Sequence, residues 1–172
     1  AVNHMAYFVV TNVLLPNLKA TPGARIVSTA STAHSAGKLD FDDLQLRKSY
    51  GTFRAYGTSK LMNILFTREL ARRLGGSGVT ANSLHPGGVN TRFGSNNRGL
   101  AGVIFKVAVS VFGISPEQGA KTIIHLAASP DVATISGEYF YKCKVIEPTL
   151  AVQDDVAAKR LWDVSKRLSG VG

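Results

Sequence analysis

The sequence predicts an α/β domain built on a parallel sheet, and three observations predict it. Short β-branched segments bounded by glycine or turn residues, A-R-I-V-S-T-A-S at 24–31 and V-T-A-N-S-L at 79–84, suit strands buried on both faces. Longer segments with apolar residues at helical spacing separate them. The order helix, strand, helix, strand, helix, strand, helix then requires crossovers between parallel neighbours, which are right-handed.

Residues 4–19 read as a mostly apolar helix ending near the T-P-G at 21–23. The strand at 24–31 follows, then a polar loop from about 34 to 52, then a helix over 55–74. In that helix Met62, Phe66 and Leu70 recur every four residues with Leu61 and Leu65 beside them, so its apolar face is broad. Gly75 and Gly76 stop it before the strand at 79–84. S-P-E-Q at 115–118 supplies an N-cap serine, a proline at the first helical position and a glutamine that closes a capping box. The helix it opens runs to about Ala128, with Ile123, Ile124 and Ala127 as its expected apolar face. G-E-Y-F-Y-K-C at 137–143 reads as a third strand, and residues 154–168 as a last amphipathic helix closed by Gly170. We read 1–172 as a single domain. Three strands are few for a doubly wound sheet, so the first strands are expected upstream of Ala1.

Composition narrows the function classes. The chain carries 20 Lys and Arg against 11 Asp and Glu, a net charge of +9, but the bases stand singly or in pairs near predicted helix ends. There they complement the helix dipole. No nucleic-acid reading motif accompanies the charge, so no nucleic-acid partner is expected. Cys143 is the single cysteine, which excludes an intramolecular disulfide and favours a reducing compartment such as the cytoplasm. The longest apolar stretch, at 102–114, contains Lys106 and Ser110 and is shorter than the roughly 20 residues a spanning helix needs, so no transmembrane segment is expected.

Two places could carry chemistry. Tyr56 and Lys60, in Y-G-T-S-K, stand at i and i+4 on one helix face. They are either two ordinary surface residues or an acid with its charge partner, because an ammonium beside a phenol favours the phenolate. Ser31 ends a predicted strand, where open α/β sheets meet their ligands. Its hydroxyl either bonds a substrate oxygen or satisfies the loop backbone.

Taken together, N-H at 3–4, T-A-S-T-A-H at 29–34, Y-G-T-S-K at 56–60 and H-P-G-G-V-N-T at 85–91 resemble the short-chain dehydrogenase/reductase family. S-G-E-Y-F-Y-K-C and R-L-W-D-V-S are similar to its retinol dehydrogenase-like branch, and the resemblance spans the whole chain in order. It implies a Rossmann-like doubly wound parallel sheet of which this chain is the C-terminal part. The implied activity is NAD(P)-dependent interconversion of an alcohol and a carbonyl on a lipophilic substrate, with NADP or NAD as cofactor, NADP preferred, and a homodimer as the candidate assembly.

By the same resemblance Tyr56 is the proton donor or acceptor, Lys60 lowers its pKa and holds the nicotinamide ribose, and Ser31 polarises the carbonyl oxygen. Asn3 anchors the water that links Lys60 to solvent. Tyr56 and Lys60 also contact the cofactor, and Pro86, Gly87, Val89 and Thr91 line the nicotinamide. The family's Gly-rich turn and its N-N-A-G segment belong upstream of Asn3. G-S-G-V-T-A at 76–81 fits the glycine pattern but follows a helix and enters a strand, the reverse of the context that binds a pyrophosphate.

Other chemistry finds less support. His4, His34, His85 and His125 have no metal-ligand spacing and no G-x-S-x-G surrounds a serine, so the histidines are expected to pack or to shape loops. Val103, Ile104, Phe105, Val107, Val109, Val111 and Phe112 either wall a lipophilic pocket or form a surface-docked helix. An alternative to the enzyme is a catalytically silent module that pairs with another subunit through the Met62–Leu70 face.

Overall fold

The computed structural model describes residues 2–89 and 113–171. Helix α1, Val2–Ala20, leads to strand β1, Arg25–Thr29, and a short 3-10 turn at Thr32–Ala36. Then come α2, Thr52–Arg73; β2, Thr80–Leu84; α3, Pro116–Ala128; β3, Tyr139–Tyr141; β4, Lys144–Val145; and α4, Asp155–Ser169. The strands lie in the order β1-β2-β3-β4, with β1, β2 and β3 parallel. This is the Rossmann-like α/β arrangement expected from the sequence.

Helices cover both faces of the sheet. On one, Phe66 and Leu70 of α2 pack with Phe8 of α1, Trp162 of α4 and the strand residues Ala81 and Ile26. On the other, Leu126 of α3 meets Leu84, Phe140 and Val27. Every residue of the central strand β2 is buried, as a strand covered on both faces must be. The capping box at Ser115 and Gln118 is present, and Gly170 ends α4 in the left-handed conformation with φ of 70°. No described helix is long and apolar enough to cross a membrane.

Three expectations are corrected. The segment read as one strand at 137–143 is a hairpin: Lys142 and Cys143 take φ of 47° and 61°, and β4 returns antiparallel to β3. The described sheet therefore has four strands and is parallel except at this edge. The apolar face of α3 is Gly119, Thr122 and Leu126, while Ile123 and Ile124 are exposed. Close approach to the sheet and to Val89 selects small residues there, so hydropathy alone points to the wrong side. The Met62–Leu70 face is apolar as read, but Phe8, Trp162 and the sheet already bury it within this chain.

Candidate active site

Parallel pairing sets Thr29 of β1 beside Leu84 of β2, so both strands deliver their carboxyl ends to one edge. The chain leaves β1 through Ala30, whose N–H donates to Leu84 O at 2.7 Å. Ser31 follows in extended conformation and caps the 3-10 turn, its Oγ accepting from the Ala33 N–H at 3.2 Å. This is the backbone-satisfying role left open by the sequence. It uses one acceptor site of the oxygen and leaves the hydroxyl proton able to donate.

The turn is docked on α2 through two glycines. A Cβ on Gly57 would stand 2.6 Å from Ala33 O, and one on Gly37 would stand 2.6 Å from Gly57 O. Side chains at either position would force the backbones apart, so the pair sets how closely the turn is held to α2. Thr58 adds two bonds across the same seam, donating to Lys38 O at 3.2 Å and accepting from Lys38 N at 3.3 Å.

One helical turn on, Lys60 Nζ donates to Thr29 O at 3.1 Å and lies 5.6 Å from the centre of the Tyr56 ring. Tyr7 of α1 donates to the same carbonyl at 3.3 Å. Burial pulls the Lys60 pKa below the usual lysine value, since a half-buried ammonium is less well solvated. Asn3 Nδ2 donates to Ser59 Oγ at 3.1 Å, and Ser59 Oγ donates to Tyr56 O at 2.7 Å. Asn3 is thereby tied to α2 between Tyr56 and Lys60.

Beyond β2, Pro86 to Val89 form a turn in which Gly87 has φ of 87°, a conformation that favours glycine. The turn is braced by the segment that leads into α3: Ile114 N donates to Gly88 O at 2.8 Å, and Val89 bridges Ile114 in parallel. Val89 fits only because Gly119 lacks a side chain, as a Cβ there would stand 2.5 Å from Val89 Cγ2. Thr91 and the apolar residues Val103–Phe112 lie outside the described residues.

Behind these groups lies a layer of rings. His34 Nδ1 is 2.7 Å from Ser31 O, and the His34 ring meets Tyr139 edge-on at 5.2 Å. His85 stacks on Tyr141 at 4.1 Å, and burial, with the nearby His34 charge second, lowers its pKa. Burial also pushes the Tyr139 phenol pKa up. His34 and His85 are both buried, which fits the packing role read for them.

The structure thus brings Asn3, Ser31, Tyr56 and Lys60 around the end of β1, with Pro86, Gly87 and Val89 at the adjacent end of β2. Sequence reasoning missed Thr29 O as the anchor for Lys60, Ser59 as the link to Asn3, and the Gly37–Gly57 contact. The glycines were visible as residues, but nothing local marked them as facing each other. Among the described residues no group of three or more His, Cys, Asp and Glu could hold a metal ion.

Comparison with known proteins follows the same lines. Residues 1–99 match the family model for short chain dehydrogenase. The chain is 44% identical over 172 residues to Retinol dehydrogenase 14 of Mus musculus, covering 99% of this chain and 52% of that protein. It is 45% identical over 177 residues to Retinol dehydrogenase 13 of Homo sapiens, covering 99% and 53%. The chain spans about half the length of these curated relatives. Among solved structures, an uncharacterized protein from Mycobacterium paratuberculosis superposes with a TM-score of 0.73 at 27% identity, over 98% of this chain and 57% of that one.

Proposed function

The chain belongs to the short-chain dehydrogenase family, and from that premise we propose that it carries the proton-handling part of an NAD(P)-dependent oxidoreductase. Its substrate is a lipophilic alcohol or the matching carbonyl, a retinoid being the first to test because its relatives are named retinol dehydrogenases. The observation that carries this reading is the placement of Lys60, fixed by Thr29 O at 3.1 Å and lying 5.6 Å from the Tyr56 ring at the carboxyl end of β1.

In this reading Tyr56 gives its phenol proton to the developing alkoxide during reduction and takes it back during oxidation. Lys60 stabilises the phenolate left behind, because an adjacent positive charge favours the charged form. Ser31 donates its hydroxyl proton to the carbonyl oxygen and polarises it. Asn3, which holds the Tyr56–Lys60 turn through Ser59, would anchor the water that connects Lys60 to solvent.

The residues fit the nicotinamide end of a dinucleotide. Lys60 would hold the ribose, and the turn of Pro86, Gly87 and Val89 would lie against the ring, with Thr91 the further contact that the family resemblance implies. When bound, the nicotinamide supplies or accepts the hydride. NADP is preferred to NAD as an expectation.

The test is Tyr56→Phe in the full-length protein. Reduction of retinaldehyde with NADPH or NADH is expected to fall by about 10² or more, the scale of a lost general acid. Unchanged turnover would end this reading.

A further inference from the structure

We infer that His34 is the positioning residue that aims the Ser31 hydroxyl, a role that rests on the dehydrogenase reading above. A carbonyl oxygen can only accept, so the 2.7 Å contact between His34 Nδ1 and Ser31 O requires the ring hydrogen on Nδ1. The same carbonyl accepts the His34 backbone N–H at 3.1 Å. One residue therefore grips the Ser31 peptide twice.

The tautomer has consequences for the neighbours. With Nδ1 donating to Ser31, it cannot also accept from the Tyr139 hydroxyl, so their 3.5 Å separation is packing rather than a strong hydrogen bond. Nε2 becomes a bare acceptor, buried and without a partner among the described residues. Leaving a buried ring nitrogen unpaired is unfavourable. Pure packing would be met as well by an apolar side chain against the edge of Tyr139. What an apolar side chain cannot supply is the donor to Ser31 O.

That donor acts on the residue that joins the strand to the docked turn. On the strand side the last bond before Ser31 is Ala30 N to Leu84 O at 2.7 Å. On the turn side the Ser31 Oγ to Ala33 N contact is 3.2 Å. The ring of His34, set edge-on against Tyr139 at 5.2 Å, holds the Ser31 carbonyl and opposes rotation of the peptide that follows Ser31. The sequence carries this as a histidine three residues after the serine, which alone gives no such hint.

The experiment has two arms on the full-length protein. The first reads the ring itself: with labelled histidine, the nitrogen chemical shifts of His34 at neutral pH are expected to report the Nδ1–H tautomer. An Nε2–H tautomer overturns the inference, whatever the enzyme does. The second reads activity and folding together in Ser31→Ala, His34→Leu, His34→Asn and the Ser31→Ala/His34→Leu double variant, with thermal melts alongside.

His34→Leu is expected to lower kcat for retinaldehyde reduction by about tenfold, with KM for NADPH unchanged, because the loss is one of alignment. Asparagine can place an amide donor near the former Nδ1, so His34→Asn is expected to recover activity to within about threefold of wild type. In the Ser31→Ala background His34→Leu is expected to cost less than about twofold, since the residue it serves is gone. Multiplicative losses, or failure of asparagine to rescue a folded variant, would overturn the assignment. Full activity in Tyr56→Phe would instead remove the dehydrogenase reading while the tautomer result still stood on its own.

Discussion

Gly37 and Gly57 meet backbone to backbone: a Cβ on Gly37 would stand 2.6 Å from Gly57 O and 2.8 Å from Gly57 C. The neighbour is peptide backbone rather than the end of a flexible side chain, so it has little room to yield. Gly37→Ala is therefore expected to destabilise by about 1–3 kcal/mol, the usual range for overpacking. Because the contact also sets the spacing between the Ser31 turn and α2, turnover should fall more than the melt predicts. Urea unfolding alongside kcat checks this, and an unchanged midpoint would show that the seam can open without loss.

Lys60 couples the helix to the strand. Its ammonium is half-buried, donates to Thr29 O at 3.1 Å, and has its pKa lowered by burial. Lys60→Met removes the charge while keeping most of the volume, and kcat/KM for carbonyl reduction is expected to fall by about 10². Lys60→Arg should not restore it, because the guanidinium is a planar fork and cannot replace a point charge at that carbonyl. Steady-state kinetics of both variants decide it, and activity near wild type in Lys60→Met would remove Lys60 from the chemistry.

These two cases show what was legible in the sequence. Helical spacing and a strand end singled out Tyr56, Lys60 and Ser31 as candidates, but each kept an ordinary reading beside the chemical one, and only the family resemblance gave them roles. Helix bounds were also legible from caps: the Ser115 and Gln118 box and Gly170 stand where read. The β3–β4 hairpin was not, because its turn uses Lys142 and Cys143 at φ of 47° and 61°, where Gly or Asn is the usual signal. Nor was the buried stripe of α3, since Gly119 and Thr122 face inward for lack of bulk while Ile123 and Ile124 face out. Thr29 O as the anchor of Lys60 is a tertiary fact 31 residues away in the chain, beyond any local pattern.

His4 ties α1 to α4 and makes folding pH-dependent. Ser165 Oγ donates to Leu161 O at 2.8 Å, so the 2.7 Å contact with His4 is a bond donated by Nε2–H. Nδ1 is then a buried acceptor with no partner among the described residues. Burial lowers the pKa from 6.5 to about 4. Between those values the unfolded chain binds a proton that the folded chain does not, so this contribution to stability is complete above pH 6.5 and lost as pH falls toward about 4. The loss should approach about 3 kcal/mol. His4→Gln keeps an amide donor for Ser165 and does not titrate, so its urea midpoint should vary less with pH over this range. Parallel curves for the two proteins would exclude His4 as the source.

Gly119 tests whether the Val89 turn faces the nicotinamide. A Cβ there would stand 2.5 Å from Val89 Cγ2 and 3.2 Å from Cγ1, and a β-branched side chain cannot swing aside at χ1 without cost. Something must move, and α3 is the firmer partner, fixed by its capping box and by Leu126 in the core. The Val89 turn, bridged to Ile114, is the part that yields. In Gly119→Ala the gain in helix propensity, about 1 kcal/mol, offsets much of an overpacking penalty of about 1–3 kcal/mol. Stability should therefore change little. A displaced turn would weaken contact with the cofactor, so KM for NADPH is expected to rise about tenfold while kcat at saturating cofactor stays within about twofold. An unchanged KM with altered stability would mean that Val89 serves the fold and not the nicotinamide.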